Sequence, residues 1–247
     1  MLKFIGIIPA RYASTRFPGK PLAIVKGLPM VQRVYQQASI AFEHVYVATD
    51  DERISSAVNG FGGKVIMTSP NHPSGTDRIC EALQKIEQLE KTNFDVVFNI
   101  QGDEPFIQAE ALNQLRACFN DPSTDIATLG KLMLNAEDIL NPNHVKLVRD
   151  FRGKALYFSR SPIPYIRNYP QNQWHEKYSF IKHLGIYAYR AEALRKITQL
   201  EPSPLELAES LEQNRWLENG FTIMVETTDY ESISIDTPED LERANRI

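Results

Sequence analysis

Short apolar runs alternate with longer helical patterns along the first half of the chain. Residues 4–9 (FIGIIP) form a continuous hydrophobic run of strand length that stops at a proline. A polar loop over residues 10–21 follows, then a helix from about Pro29 to Phe42, its proline suited to a first turn. Residues 44–49 are a second strand, 51–61 a second helix, and 64–68 a third strand. Ile79, Leu83, Ile86 and Leu89 recur at helical spacing within residues 76–91. Residues 94–100 (FDVVFNI) are a fourth strand and 109–119 another helix. Strand–helix alternation of this kind predicts an α/β domain with a three-layer sheet and right-handed crossovers. Ligands bind such sheets beyond the carboxyl ends of the strands. Chemistry is therefore expected in the loops after Pro9, Thr68 and Ile100.

The second half is less regular. Residues 126–134, 145–148, 155–159 and 181–189 are strand-like, with a proline-rich stretch at 161–170. Residues 204–219 read as one helix ending at Gly220. Leu207, Ala208 and Leu211 form its buried stripe, while Glu209, Glu212, Gln213 and Trp216 share another face, most simply a solvated one. Residues 232–235 look like a strand, and Thr237-Pro238-Glu239-Asp240 supplies an N-cap, a first-turn proline and a capping acid for a last helix. No repeat, low-complexity tract or clear linker interrupts the pattern. The expectation is one domain over residues 1–247, elaborated at about 150–200.

Composition narrows the function. A chain of 247 residues, 43% of them hydrophobic, can bury a core without disulfides or metals as staples. Its 27 basic and 31 acidic residues give a net charge of −4, which argues against sequence-independent nucleic-acid binding. The two cysteines, Cys80 and Cys118, make no zinc pattern, so a reduced, cytoplasmic protein is expected. The first apolar stretch ends at Pro9, too short for a signal peptide or a membrane span.

Directly after the first strand, Pro9-Ala10-Arg11-Tyr12-Ala13-Ser14-Thr15-Arg16-Phe17-Pro18-Gly19-Lys20-Pro21 gathers Arg11, Arg16 and Lys20 in one loop. Arginine presents a planar fork to phosphate oxygens and lysine a compact charge. Small residues such as Ala13, Ser14 and Gly19 let backbone amides approach an anion. The loop lacks both the Walker A spacing and the Gly-x-Gly-x-x-Gly fingerprint, so it suggests a polyphosphate binder of another kind. Asp103, in Gln101-Gly102-Asp103-Glu104-Pro105, follows the strongest central strand. Together with Asp236 it could hold a hard cation, because Mg²⁺ commonly takes one or two carboxylates and fills its shell with phosphate and water. Equally, Asp103 could close a turn and Asp236 cap a helix. Ser74-Gly75-Thr76-Asp77-Arg78 marks a helix start, suited to anionic ligand atoms or to a plain N-cap.

Seven segments in order carry a family resemblance. Besides the first loop they are Val47-Ala48-Thr49-Asp50, Ser74-Gly75-Thr76-Asp77-Arg78, Asn99-Ile100-Gln101-Gly102-Asp103-Glu104-Pro105, Ala155-Leu156-Tyr157-Phe158-Ser159-Arg160, His183-Leu184-Gly185-Ile186-Tyr187 and Asp236-Thr237-Pro238-Glu239-Asp240-Leu241. Across nearly its whole length the chain resembles the 3-deoxy-manno-octulosonate cytidylyltransferases, or CMP-KDO synthetases. The resemblance implies a three-layer nucleotide-diphospho-sugar transferase-like (Rossmann-like) fold with a mixed, mostly parallel central sheet. It implies in-line attack of the anomeric hydroxyl of 3-deoxy-manno-octulosonate (KDO) on the α-phosphorus of CTP, giving CMP-KDO and pyrophosphate for lipopolysaccharide synthesis. Arg11, Arg16 and Lys20 would neutralise the triphosphate, and Asp103 and Asp236 would share Mg²⁺, making Arg11, Lys20, Asp103 and Asp236 the catalytic set. Metal-assisted deprotonation of the sugar would need no dedicated protein base.

By the same resemblance, Pro9, Ala10, Ser14, Ser74, Gly75, Arg78 and Gln101 would line the nucleotide. Gln101, Arg160, His183, Tyr187, Glu212 and Gln213 would hold the sugar, although a lone histidine such as His183 is more often a packing residue. The family's Leu-Glu-Gln motif usually continues Leu-Arg; here it continues Asn214-Arg215, which should perturb packing more than chemistry. A homodimer contacting through the second half is implied, with no nucleic-acid or membrane partner. The rival readings are a cytidylyltransferase for another α-keto acid sugar, such as 8-amino-KDO or a sialic acid, and a CTP-binding module without turnover.

Overall fold

The computed structural model describes residues 2–14 and 16–246, so Thr15 of the first loop lies outside the described residues. In chain order the elements are β1 (Phe4–Ala10), β2 (Ile24–Val25), β3 (Leu28–Pro29), α1 (Met30–Ala41), β4 (Val45–Thr49), α2 (Glu52–Gly60), β5 (Val65–Met67), α3 (Gly75–Glu90), β6 (Val96–Asn99) and α4 (Ala109–Ala117). Then come β7 (Ile126–Leu132), α5 (Ala136–Leu140), β8 (Lys146–Arg149), β9 (Ala155–Ser159), α6 (Trp174–Lys177), β10 (Ile181–Arg190), α7 (Ala191–Ile197), α8 (Pro204–Glu209), α9 (Glu212–Glu218), β11 (Ile223–Thr227) and α10 (Pro238–Arg246). They pack as two compact units. One comprises Met1–Asn113, Ala188–Thr198 and Glu231–Ile247, and the other Gln114–Tyr187 and Gln199–Tyr230.

In the first unit β1 is flanked by β4 and β6, and β5 lies beyond β4, all parallel. The continuous run FIGIIP is explained by this position: Ile5, Ile7 and Ile8 are fully buried in a strand with neighbours on both sides. Helices α1, α2 and α3 pack against these strands. Parallel pairing turns the carboxyl ends of β1, β4, β5 and β6 to one edge, where the loops after Ala10, Met67 and Asn99 emerge. Residues 232–235, expected as a strand, are irregular. They are tied down instead by Ile235 N–H donating to the Asp103 carbonyl (2.9 Å) and Ser232 Oγ donating to Glu104 Oε1 (2.7 Å). Ile235 is fully buried with Val25, Met30 and Ala244, which seats α10 on the small β2–β3 hairpin.

In the second unit the order is β11-β7-β10, with β8 beside β10 and β9 beside β8. The β11–β7 pair is parallel, whereas β8 runs antiparallel to both β10 and β9. The molecule is thus α/β with mixed, mostly parallel pairing. β11 escaped the sequence reading although Ile223 and Val225 alternate inward along it. The single helix expected over 204–219 is two. A capping box of Ser203 and Glu206 starts α8, and Ser210, at φ +52°, ends it in the left-handed region before α9 begins.

The loop between β5 and α3 is clamped by one polar stripe of α3. Arg78 Nη1 donates to Thr68 Oγ1 (2.7 Å), and Lys85 Nζ donates to the Met67 carbonyl (2.8 Å). Glu81 collects the Ser69 N–H (2.9 Å), His72 Nε2 and Lys85 Nζ (2.7 Å). Burial alone would raise the Glu81 carboxyl, but hydrogen bonds from Lys85, Ser69 and His72 outweigh it and hold it at about 2, against 4.5 unperturbed. A lowered folded-state value contributes stability that is complete above the unfolded value and lost as pH falls through the folded one. Glu81→Gln is therefore expected to be less stable than wild type in urea unfolding at pH 7. That deficit should shrink as pH falls from 4.5 towards about 2; a gap independent of pH would remove Glu81 as the hub of the clamp.

Candidate functional site

At the carboxyl edge of the first unit lies a cavity of about 400 Å³. Pro9, Ala10, Arg11, Ser14, Arg16, Lys20, Ser74, Gly75, Arg78, Gln101 and Asp103 all line it, and so does Asp236. Every residue expected to contact the nucleotide thus falls on one surface. Ala13, Pro21, His72 and Gly102 complete the wall. The sequence assigned no role to His72, because its partner Glu81 is nine residues away across a helix start and no ligand spacing connects them.

The first loop is shaped by local contacts. Gly19 adopts φ +74°, and a Cβ there would meet the Tyr12 ring at 3.0 Å. The Tyr12 carbonyl accepts from Ser14 N–H (3.0 Å) and Gly19 N–H (2.9 Å), which closes the loop on itself. On Tyr12 stacks the Arg53 guanidinium, 3.3 Å from the ring centroid and itself gripped by Asp51. Lys20 follows Gly19 and opens a short 3-10 turn directed into the cavity wall. Gly102 has a different constraint: a Cβ would sit 2.8 Å from the Pro9 carbonyl oxygen, so only glycine lets the Asp103 loop approach the end of β1 so closely.

Asp103 and Asp236, 133 positions apart in sequence, meet here. Lys20 Nζ lies 2.7 Å from Asp103 Oδ2 and 3.1 Å from Asp236 Oδ1, and Arg16 Nη2 lies 3.1 Å from the same Asp236 oxygen. Both carboxylates therefore converge on one point within reach of a single cation. Asp103 does sit in the turn closed by the Glu104 N–H donating to the Gln101 carbonyl (3.2 Å), but that turn uses only backbone groups and leaves its carboxylate to Lys20, and Asp236 does not cap the helix. Asp240, not Asp236, accepts the Asp236 and Thr237 amides at the start of α10. Ser74 does act as the N-cap of α3, accepting from the Asp77 N–H (3.2 Å) while lining the cavity. Arg78 is buried, its guanidinium held by Thr68 and by Asp50 (3.3 Å), so it offers a fixed edge to the cavity.

Of the residues expected to hold a sugar, Gln101 lines this cavity, while Arg160, His183, Tyr187, Glu212 and Gln213 belong to the second unit. There His183 packs edge-on against Phe158 (5.0 Å) and beside Tyr187 (5.2 Å), whose ring meets Trp216. His183 Nε2 lies 3.0 Å from Thr128 Oγ1 and 3.3 Å from the Gly185 amide. Burial pushes its imidazole down to about 3, so it is neutral at physiological pH. Gln213 is buried, and Glu212 pairs with Arg215 (3.1 Å). The Arg160 guanidinium donates to the Glu209 carbonyl (2.8 Å) and the Pro142 carbonyl (3.3 Å), close to the end of α8. Glu209, read as part of a solvated face, instead accepts from Ser159 Oγ (2.6 Å), Tyr157 Oη (3.1 Å) and the Arg160 amide (3.0 Å).

Comparison with known proteins places the chain in a family. A family model described as cytidylyltransferase matches residues 5–233. A protein of Parabacteroides distasonis named 3-deoxy-manno-octulosonate cytidylyltransferase is 56% identical over 99% of this chain and 97% of its own length. A Phocaeicola vulgatus protein of the same name is 57% identical over 98% of this chain and 96% of its own. A solved structure of a CMP:2-keto-3-deoxy-manno-octonic acid synthetase complexed with CTP superposes with a TM-score of 0.90 at 43% identity, covering 99% of this chain and 97% of that one. Matches of this identity, running end to end in both partners, admit one assignment: the chain belongs to the cytidylyltransferase family, in its 3-deoxy-manno-octulosonate cytidylyltransferase branch.

Proposed function

We propose that the protein transfers CMP from CTP to the anomeric hydroxyl of KDO, supplying CMP-KDO for lipopolysaccharide synthesis. The observation that carries this reading is the cavity in which Arg11, Arg16 and Lys20 face Asp103 and Asp236. The sugar oxygen attacks the α-phosphorus, the bond from that phosphorus to the bridging oxygen of the β-phosphate breaks, and the hydroxyl proton passes to solvent. Arg11, Arg16 and Lys20 supply charge to the triphosphate and to the departing pyrophosphate, the main catalytic demand of such transfers. Ser74 and Gly75, at the first turn of α3, offer amides to ligand atoms, while Arg78 and Gln101 border the same space.

The acidic pair fits Mg²⁺: two carboxylates converging on one point, beside a surface built for phosphate, match that ion's preference for few protein ligands. Asp103 and Asp236 would hold it. When bound, it neutralises phosphate charge and acidifies a coordinated hydroxyl. His183 is not the base in this scheme: it lies in the second unit with Nε2 3.0 Å from Thr128 Oγ1, and desolvation lowers the pKa of its imidazole. It and Tyr187, with Arg160, Glu212 and Gln213, are read as sugar-side residues. A homodimer in the cytoplasm completes the reading. The support for a dimer is the second unit, where Phe151 is fully exposed and Leu132 about half so, both lining a cavity of about 810 Å³.

Pyrophosphate release assays test the whole. Release is expected with CTP and KDO, and not with UTP, ATP or a sialic acid. CTP binding without release from any pair would favour a nucleotide-binding module. Asp103→Asn should lower turnover by about 10²- to 10³-fold with the fold retained; near-wild-type turnover would take Asp103 out of the reaction. The pH–rate profile should contain no ionisation near 6–7 that disappears in His183→Ala, and finding one would make His183 a base after all. Sedimentation should give a dimer that Phe151→Glu converts to monomer, and a monomeric wild type would refute the dimer.

A further inference from the structure

The pairing of Lys20 with both carboxylates has a consequence for the order in which ligands assemble. The two carboxylates are already neutralised by two cations of the same loop, Lys20 and Arg16. Of these, Lys20 is the enclosed one, with 15% of its side chain exposed, against 65% for Arg16. Among the described residues, its ammonium alone touches both Asp103 and Asp236. A divalent cation drawn to that pair would meet a fixed positive charge within hydrogen-bond distance of its own ligands, so like-charge repulsion opposes binding while Lys20 stays. An anion entering the cavity that Lys20 lines would offer it another partner. A triphosphate among Arg11, Arg16 and Lys20 is such an anion.

We propose that Lys20 is a resident counter-cation that makes divalent-metal binding at Asp103 and Asp236 conditional on nucleotide. The triphosphate draws the ammonium off the carboxylates, and the vacated charge is then taken up by the metal. This rests on the reading of the cavity as a CTP site, and it adds to Lys20 a role besides phosphate contact. The ion pair also keeps Asp103 and Asp236 together before any ligand arrives, so the acidic pair is assembled in advance. By linkage, the same exchange makes metal and nucleotide strengthen each other's binding.

Titration of the full-length protein with Mn²⁺, free ion being followed by electron paramagnetic resonance, tests the exchange without turnover. In the absence of nucleotide, wild type should bind Mn²⁺ weakly. Lys20→Met should bind it about tenfold more tightly or better, within the usual range of coupling between sites. Lys20→Arg, which keeps the charge, should bind as weakly as wild type. Adding Asp103→Asn to Lys20→Met should abolish the gain. Circular dichroism confirms folding of each variant, and Lys20→Gln replaces Lys20→Met if the latter does not fold. Equal Mn²⁺ affinity in wild type and the uncharged variants would overturn the proposal, as would tight binding by Lys20→Arg. Calorimetry of CTP binding to wild type, both without metal and with saturating Mn²⁺, separates the two levels. No CTP binding in either condition would undo the nucleotide reading itself, whereas CTP binding with unchanged Mn²⁺ affinities would undo only the exchange.

Discussion

Three segments remote in sequence are joined by one ammonium group. Lys20 comes from the loop after β1, Asp103 from the loop after β6, and Asp236 from the stretch leading into α10. Around this point the backbone is built to permit close approach. Gly102 lets one loop lie against the Pro9 carbonyl, and the Ile235 amide bonds to the Asp103 carbonyl. Burial of Ile235 against Val25, Met30 and Ala244 then fixes the next residue, Asp236, from the hydrophobic side. The charged cluster is held by packing that is itself uncharged, which spares it from depending on screened surface attraction alone.

The same division of labour holds for the loops. Tyr12 carries the first loop through its carbonyl and through its ring beneath Arg53, so the charged ends of the three cations stand on a scaffold of backbone bonds and an aromatic ring. The loop after β5 is likewise fixed from behind by Arg78, Glu81 and Lys85 of α3, leaving Ser74 and Gly75 to face the cavity. Rigid support behind the contact groups is what a transfer reaction governed by positioning requires.

Legibility from sequence followed the range of the interactions. The parallel strands around β1 were readable because a strand buried on both faces is a short uninterrupted apolar run, as in FIGIIP and the VYVA of residues 45–48. Clustering of Arg11, Arg16 and Lys20 was readable because the loop is contiguous. The meeting of Asp103 with Asp236 was not, since no local pattern encodes a contact made through Ile235 and a distant carbonyl; there the family resemblance supplied what periodicity could not. The break at Ser210 was hidden for another reason. A helical pattern of apolar positions continues across it, and a left-handed serine carries no signal as plain as a glycine would. Residues 232–235 failed in the opposite sense, their alternation suggesting a strand where single tethers to Asp103 and Glu104 suffice.

Asn214 shows how a departure from the family pattern is absorbed. Where the motif usually has leucine, this chain buries an amide completely, and Nδ2 donates to the Phe158 carbonyl (3.0 Å). That bond ties α9 to β9, the strand whose Phe158 ring packs on His183. The exchange is not free of cost, for Asn214 Oδ1 is buried and finds no partner among the described residues. The buried amide thus gains one directional bond at the expense of an unpaired acceptor. Asn214 acts within the packing of α9 on β9, and Glu212 and Gln213, the two residues before it, start the same helix. A fully buried amide bonded to a strand carbonyl serves the seat of the helix on its sheet, since both its burial and its one bond lie within that packing.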